Sequence, residues 1–319
     1  MSMRNRRAGL ALSRDLEQRL ARRREVEAAI RGGERMNTHR EPLLLRDHVA
    51  APILRAALQV TGLYSRGIRN ALDVAVRQIR FEFENVPGTF DGIRILHLAD
   101  LHIDGVDGLA EVIAERVSGL NTDLCVMTGD YRFAVDGPCD QVYPRLETIL
   151  AHIHAPGGVF AILGNHDEAE MAVELEHLGV RMLINEAVEI TRGGDGLWLT
   201  GVDDPHRYGC DDLEAACEGV PADAFKVLLA HSPEMFDQAS AAGIDLYLCG
   251  HTHAGQIRVP GIGAPLLNAA CPRPYTHGCW KHEAMQGYTS AGAGCSLLPV
   301  RYNCPPEITV IEIAKRDSA

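Results

Sequence analysis

Five short apolar runs in this 319-residue chain each stop at an Asp, Asn or His, and three of them stop beside a glycine. The runs are residues 93–99, ending at Asp100; 123–128, ending at Gly129-Asp130; 159–163, ending at Gly164-Asn165; 226–230, ending at His231; and 245–249, ending at Gly250-His251. A run of five or six apolar residues bounded by turn signals reads as a strand buried on both faces. Helical patterns at 109–117, 146–154 and 168–178 separate or follow the first three. Strands alternating with helices predict an α/β fold. Such sheets place ligands beyond the carboxyl ends of their strands. One pattern thus constrains both the fold class and the place where chemistry is expected.

Further β-like stretches lie at 79–84, which alternates, and at 181–184, 197–202 and 308–313. The division expected is a basic helical N-terminal extension over 1–80 and a catalytic domain over 81–319. Within the extension, Leu12, Leu16 and Leu20 fall on one helical face before Arg22-Arg23-Arg24, and Gly32-Gly33 ends the pattern. Met36 offers an alternative start. Residues 43–80 read as a second helical region with mixed apolar residues and arginines.

The net charge of −12 is unevenly spread. Residues 1–80 hold 17 Arg, no Lys and 8 acidic residues, about +9, so the remainder carries about −21. A basic arm on an acidic body points to an anionic surface, lipid or nucleic acid. The plainer alternative is a solvated helical extension. No specific nucleic acid is expected. The nine cysteines are odd in number and include no C-x-x-C pair, which reads as reduced thiols. The basic N-terminus is followed by no apolar secretory core. The most apolar early stretch, residues 49–64, contains Arg55 and is short for a bilayer span. A cytoplasmic protein, peripheral on the inner membrane, is the expected location.

The strand-end residues form a donor set. Asp100 and His102 form D-x-H, and His251 and His253 form H-x-H. Side chains two apart on extended backbone point the same way, so each pair is expected to reach one pocket. With Asp130, Asn165 and His231 the donors are two carboxylates, one amide oxygen and four imidazoles. Such N/O donors suit divalent Mn, Fe, Zn or Co. Seven ligands exceed what one catalytic metal with an open position takes. They fit two metals sharing a carboxylate.

In order, these blocks resemble the pattern of the calcineurin-like metallophosphoesterase superfamily: D-x-H, GD, GNH[DE], H and GH-x-H. The stretch Leu298-Pro299-Val300-Arg301, followed by Asn303-Cys304-Pro305-Pro306, resembles a bacterial subgroup with membrane-associated members. The resemblance covers about residues 80–315. It implies a four-layer α/β/β/α sandwich of two mixed sheets with a dinuclear metal site at the strand ends. It implies that Asp100, His102 and His253 bind one metal, that Asn165, His231 and His251 bind the other, and that Asp130 bridges them. It also implies that His166 contacts the phosphate or protonates the leaving oxygen, with Asp167 expected to orient it. A hydroxide shared by two divalent ions (Mn, Fe or Zn) would attack phosphorus in line. The expected reaction is hydrolysis of a phosphodiester, pyrophosphate or phosphomonoester, with a lipid-linked substrate at an anionic membrane surface as one version.

Two alternatives stand beside this reading. A protein Ser/Thr phosphatase would need arginines near the motifs; Arg132 is present but none adjoins GNHD. A non-catalytic scaffold would have lost ligands, whereas all seven positions are filled. A redox purple phosphatase would need Tyr where Phe133 stands. Asp104 occupies a position that is often Gly in the family. Outside the motifs, Asp203 and Asp204 are candidates to support a metal-bound His, and His206 and Arg207 to meet substrate. Arg301 is read as structural. Residues 271–287, with His277 and His282, are read as a lid loop.

Overall fold

The computed structural model describes residues 15–33 and 51–316. The basic arm's Leu12 and the alternative start at Met36 lie outside the described residues. Two six-stranded mixed sheets form the body. The first has the order β1 (Ala75–Phe83), β12 (Glu307–Lys315), β2 (Ile93–Leu98), β3 (Leu124–Met127), β4 (Val159–Ala161), β5 (Arg181–Met182). The second has the order β10 (Gly278–His282), β11 (Met285–Thr289), β9 (Leu246–Cys249), β8 (Phe225–Leu229), β7 (Asp195–Gly201), β6 (Glu186–Arg192). Strands β2 to β5 run parallel, as do β7, β8, β9 and β11.

The apolar runs do not alternate because each strand is covered on both faces. In β2, Ile93 and Ile95 enter the core between the sheets, while Leu96 and Leu98 face the helix layer. In β9, Leu246 and Leu248 face the inner core and Tyr247 and Cys249 the outer one. Helices α4 (Leu109–Val117), α5 (Val142–Leu150) and α6 (Ala169–His177) cover the first sheet. The short helices α7 (Leu213–Ala216) and α8 (Phe236–Ala241) cover the second. The result is the expected α/β/β/α sandwich.

Several boundaries moved. Strand β1 starts at Ala75, because its full length pairs in parallel with β12. Helix α5 starts four residues before the expected 146; Pro144 falls in its first turn, where the missing backbone N–H would have had no acceptor within the helix. Region 43–80 yields two helices among its described residues, α2 (Ala51–Val60) and α3 (Tyr64–Ala71). The turn at Thr61-Gly62 separates them, with Gly62 at φ 70°. About half of the expected lid loop is instead the β10–β11 hairpin, whose strand β11 is buried throughout. All nine cysteines are free.

Helix α1 (Leu16–Arg31) docks on the body. Leu16 and Leu20 are fully buried in the core above the first sheet. Its arginines are engaged there: Arg19 donates to Asn185 O at 2.8 Å, Arg22 to Gly209 O at 3.1 Å and Arg24 to Glu170 Oε1 at 2.9 Å. Arg19, Arg22 and Arg24 of α1 therefore spend their charge on the protein's own acceptors.

Candidate metal centre

Parallel strands bring their carboxyl ends to one edge. Strands β2, β3 and β4 deliver Asp100, Asp130 and Asn165 from one sheet, and β8 and β9 deliver His231 and His251 from the other. Beyond the strand ends the backbone is not extended. Asp100 (φ 49°), His102 (37°), Asp130 (58°), His251 (70°) and His253 (49°) all take left-handed conformations. The D-x-H and H-x-H pairs converge through these turns rather than through strand alternation, which corrects the geometric reason expected from the spacing. Non-glycine residues there carry about 1–3 kcal/mol of strain each, a cost found mostly at functional sites.

Close backbone approach makes the turns hold. The His251 N–H donates to Asp100 Oδ1 at 2.8 Å, and the His166 N–H donates to Asp130 Oδ1 at 2.8 Å. At Gly250 a Cβ would run into Asp100 Oδ2 and within 2.8 Å of the Ala99 Cβ. Gly250→Ala is therefore expected to push Asp100 aside and weaken metal binding at least tenfold, read by titrating Mn into metal-free protein; unchanged affinity would show that Asp100 is not placed by this contact.

The functional atoms gather tightly. Asp100, His102 and His253 place ligand atoms within 4.8 Å of one another, and Asp130, His231 and His251 do the same. Asn165 Oδ1 lies 2.8 Å from both His231 Nε2 and His251 Nδ1. Asp130 Oδ2 stands 3.5 Å from His102 Nε2 and 3.4 Å from His231 Nε2, between the two groups. The seven residues expected as ligands are thus brought together, all buried.

The donor chemistry tests whether a cation fits. His102 Nδ1 lies 2.7 Å from Arg132 O, and His231 Nδ1 lies 2.8 Å from Thr128 O. A carbonyl only accepts, so both Nδ1 atoms carry the proton. In the neutral rings both Nε2 lone pairs then point inward. There His102 Nε2 accepts from His253 Nε2 at 3.1 Å, since Arg301 donates to His253 Nδ1, whereas His231 Nε2 meets the oxygens of Asn165 and Asp130. Acceptors facing acceptors in a buried pocket need a cation between them. Burial acts on the Asp100 carboxyl to push it up to about 7, and holds His102 down at about 3. Burial also disfavours a charged His231, but the Asp130 carboxylate overrides it and raises that ring to about 10. A proton on His231 Nε2 then takes the place that a metal would take.

His166 sits beside the cluster, partly exposed. Its Nδ1 is 2.8 Å from Phe133 O and its Nε2 is 3.9 Å from Asp130 Oδ2. Asp167 does not hold it. The Asp167 carboxylate accepts backbone N–H bonds from Asp130 and Gly164 (2.7 Å each) and from Tyr131 (2.8 Å). It knits the GD and GNHD turns together instead of orienting His166, whose partner is a backbone carbonyl. Asp104 accepts from the Phe133 N–H at 2.6 Å, fixing that carbonyl's loop.

Other candidates sort differently. Asp203 Oδ1 accepts from Arg23 Nη1 at 2.5 Å, and Asp204 accepts the backbone N–H groups of His206, Arg207 and Tyr208. Neither carboxylate hydrogen-bonds the ring of His231, His251 or His253, though the Asp204 charge favours the protonated His231 ring. His206 does reach the site, with its ring centroid 4.1 Å from that of His251 and its Nδ1 2.8 Å from Glu234 Oε1. Arg207 lies over the Tyr208 ring. His282 bonds Asp237 and Tyr275 in the outer layer. Arg301 is fully buried and donates to the carbonyls of Ala291 (2.7 Å) and Gly294 (3.0 Å), 3.2 Å from His253 Nδ1.

Sequence reasoning missed Glu234, Asn268 and Arg23. Asn268 Nδ2 comes within 3.4 Å of His251 Nε2. Arg23, fully buried, donates from Nη2 to Gly164 O at 2.9 Å and to Asp167 O at 2.6 Å, bracketing Asn165 and His166. Its guanidinium stacks 3.5 Å over the Tyr208 ring. The one available signal was its position on the face of Leu16 and Leu20.

The family model described as calcineurin-like phosphoesterase matches residues 93–255. The chain is 31% identical to phosphodiesterase YaeI of Escherichia coli (strain K12), over 69% of this chain and 82% of that protein. It is 31% identical to a transmembrane protein with metallophosphoesterase domain from Danio rerio, over 92% of this chain and 66% of that one. Among solved structures it is similar to a 5'-nucleotidase precursor from Thermus thermophilus, with 15% identity and a TM-score of 0.39, over 70% of this chain. It spans about half, 54%, of that nucleotidase chain.

Proposed function

Given that this chain belongs to the calcineurin-like phosphoesterase family and is a metal-dependent phosphoesterase, we propose that it holds two divalent ions and hydrolyses phosphodiesters. Asp100, His102 and His253 would hold one ion, Asn165, His231 and His251 the other, and Asp130 both. The observation that carries this reading is the convergence of the seven buried N and O donors, with the His231 lone pair, in the neutral ring, aimed at the oxygens of Asn165 and Asp130. When bound, the ion pair supplies an activated water and neutralises phosphoryl oxygens. The chain's own residues do the rest. His166, fixed through Phe133 O and partly open to solvent, presents Nε2 to donate a proton to the leaving oxygen. Asp167 and Arg23 hold the turn that carries Asn165 and His166.

A diester is favoured because Arg132, the arginine nearest the GD motif, turns away. It pairs with Glu168 Oε1 at 3.2 Å and with Gly137 O at 2.6 Å, and so does not clamp a dianionic phosphate. The same observation disfavours a protein Ser/Thr phosphatase. The finer version of the reading places the substrate's remainder in a lipid and the protein at an anionic membrane surface. In support stand the basic residues outside the family match and a relative named as a transmembrane protein. Among the described residues, no helix is long and apolar enough to cross a membrane.

The test loads metal-free protein with Mn and measures metal content beside hydrolysis of bis-p-nitrophenyl phosphate and p-nitrophenyl phosphate. Two ions per chain and metal-dependent cleavage, faster on the diester, are expected. A single ion at full activity overturns the dinuclear assignment, and a faster monoester overturns the diester.

A further inference from the structure

Seven of the eight large apolar side chains left exposed among the described residues lie in two segments, α2 with the turn after it and residues 259–266. Ile53 is 65% exposed and Val60 88%; Ile262 is 72% exposed and Leu266 74%. The two segments adjoin, because Tyr302 ties them together. Its hydroxyl donates to Leu63 O at 2.6 Å, and its carbonyl accepts the Arg258 N–H at 2.9 Å. Beneath them Leu58, Tyr64, Ile257 and Tyr302 pack on Leu298 and Val300. The underside is thus anchored and the outer side is bare.

Both stretches are free of acid. No Asp or Glu occurs in residues 51–72 or 246–282, in a chain whose net charge is −12. Arg55, Arg66 and Arg69 stand exposed on the first stretch, and Arg258 and Arg273 flank the second. The bare loop also reaches the metal centre. It leaves directly from His253 and returns at Asn268, 3.4 Å from His251 Nε2.

From this juxtaposition we infer that α2 and the 257–268 loop form one platform that seats the rim of the metal centre on an anionic lipid bilayer. Apolar side chains entering the headgroup boundary, with arginines around them and no carboxylates, match what such a surface binds. A contiguous apolar patch exposed to water marks an interaction site, and the arginines around it give it the charge complementary to an anionic bilayer. The docked helix α1 is not the binder, since its arginines already have acceptors on the body. The inference rests on the membrane-surface version of the function above and names the surface responsible.

The test uses the full-length, Mn-loaded protein in flotation with vesicles of 70% phosphatidylcholine and 30% phosphatidylglycerol, and with pure phosphatidylcholine. Ile53→Glu combined with Ile262→Glu is compared with Val76→Glu on the exposed edge strand β1. Wild type and Val76→Glu are expected to float with the anionic vesicles at low salt, and the double variant to bind at least tenfold more weakly. Binding to pure phosphatidylcholine should be weak, and salt should release the protein. Hydrolysis of the soluble bis-p-nitrophenyl phosphate should be equal in all three proteins, because none of the three altered residues belongs to the metal centre. Wild-type protein that does not float, or a double variant that floats equally well, overturns the platform. A wild-type dimer by light scattering that the double variant dissociates, without vesicle binding, assigns the face to a second copy instead. Failure of the hydrolase reading appears separately, as absent soluble activity in wild type.

Discussion

His166→Ala is expected to lower kcat by about 10²–10⁴-fold, the usual worth of a positioned general acid, while both metals stay bound. The seven donors that face one another close the two groups without this ring, and its Nδ1 is committed to Phe133 O. Its Nε2 is the free end, directed past Asp130 toward solvent at 3.9 Å. The ring is also near enough to His102 and Asp130 to complete a three-residue cluster. Metal content therefore decides the role. Two ions per chain with low kcat and a similar KM support a proton donor, and loss of one ion shows that His166 is itself a ligand. A leaving group with low pKa should partly restore the variant's rate, because it departs without a proton. A ring that only filled space would show no such dependence.

Arg23→Met has a second large expected effect, on stability and turnover together. Arg23 is buried with Asp203 and Glu27, and it donates to two carbonyls of the GNHD turn. Removing one partner of a buried ion pair leaves the other charge uncompensated, at about 3–5 kcal/mol. For a chain of this size that corresponds to a fall of roughly 4–8 °C in the unfolding midpoint. The turn that carries Asn165 and His166 loses its brace at the same time, so kcat should fall at least tenfold even well below the new midpoint. Hydrogen exchange at the amides of residues 164–167 checks the link, and should quicken more than exchange in β8, which Arg23 does not touch. Arg23→Lys should restore part of the stability but not the turn's protection, because one ammonium cannot reach Asp203 and both carbonyls as the planar fork does. A variant that melts lower yet turns over normally would make Arg23 structural only.

Much of the centre was legible because it is encoded locally. The donors sit two to four residues past the strands, and glycines precede three of the strand-end donors, where side chains would collide. Burial on both faces left its mark as unbroken apolar runs, as in Leu124–Met127. What local pattern did not show is equally specific. Glycine and proline between 271 and 287 read as a loop, yet tertiary pairing with β9 made β11 a buried strand. The partner of His166 turned out to be a carbonyl, and a backbone acceptor has no residue-type signature. Asp203 looked like a support for a ligand because it follows a strand, but its partner is an arginine 180 positions earlier.

The amino-acid sequence by itself determined the α/β class, the order of the strands that bear the site and the donor set, because each depends on residue type and short spacing. Only the tertiary structure decided the left-handed turns at Asp100, His102, Asp130, His251 and His253, which arise where strand ends from two sheets meet. It alone placed Arg23 beneath the GNHD turn, Glu234 behind His206, and α2 beside the 257–268 loop. Those contacts join segments far apart in the chain, and no periodicity or motif records which distant surfaces close on one another when the core is buried.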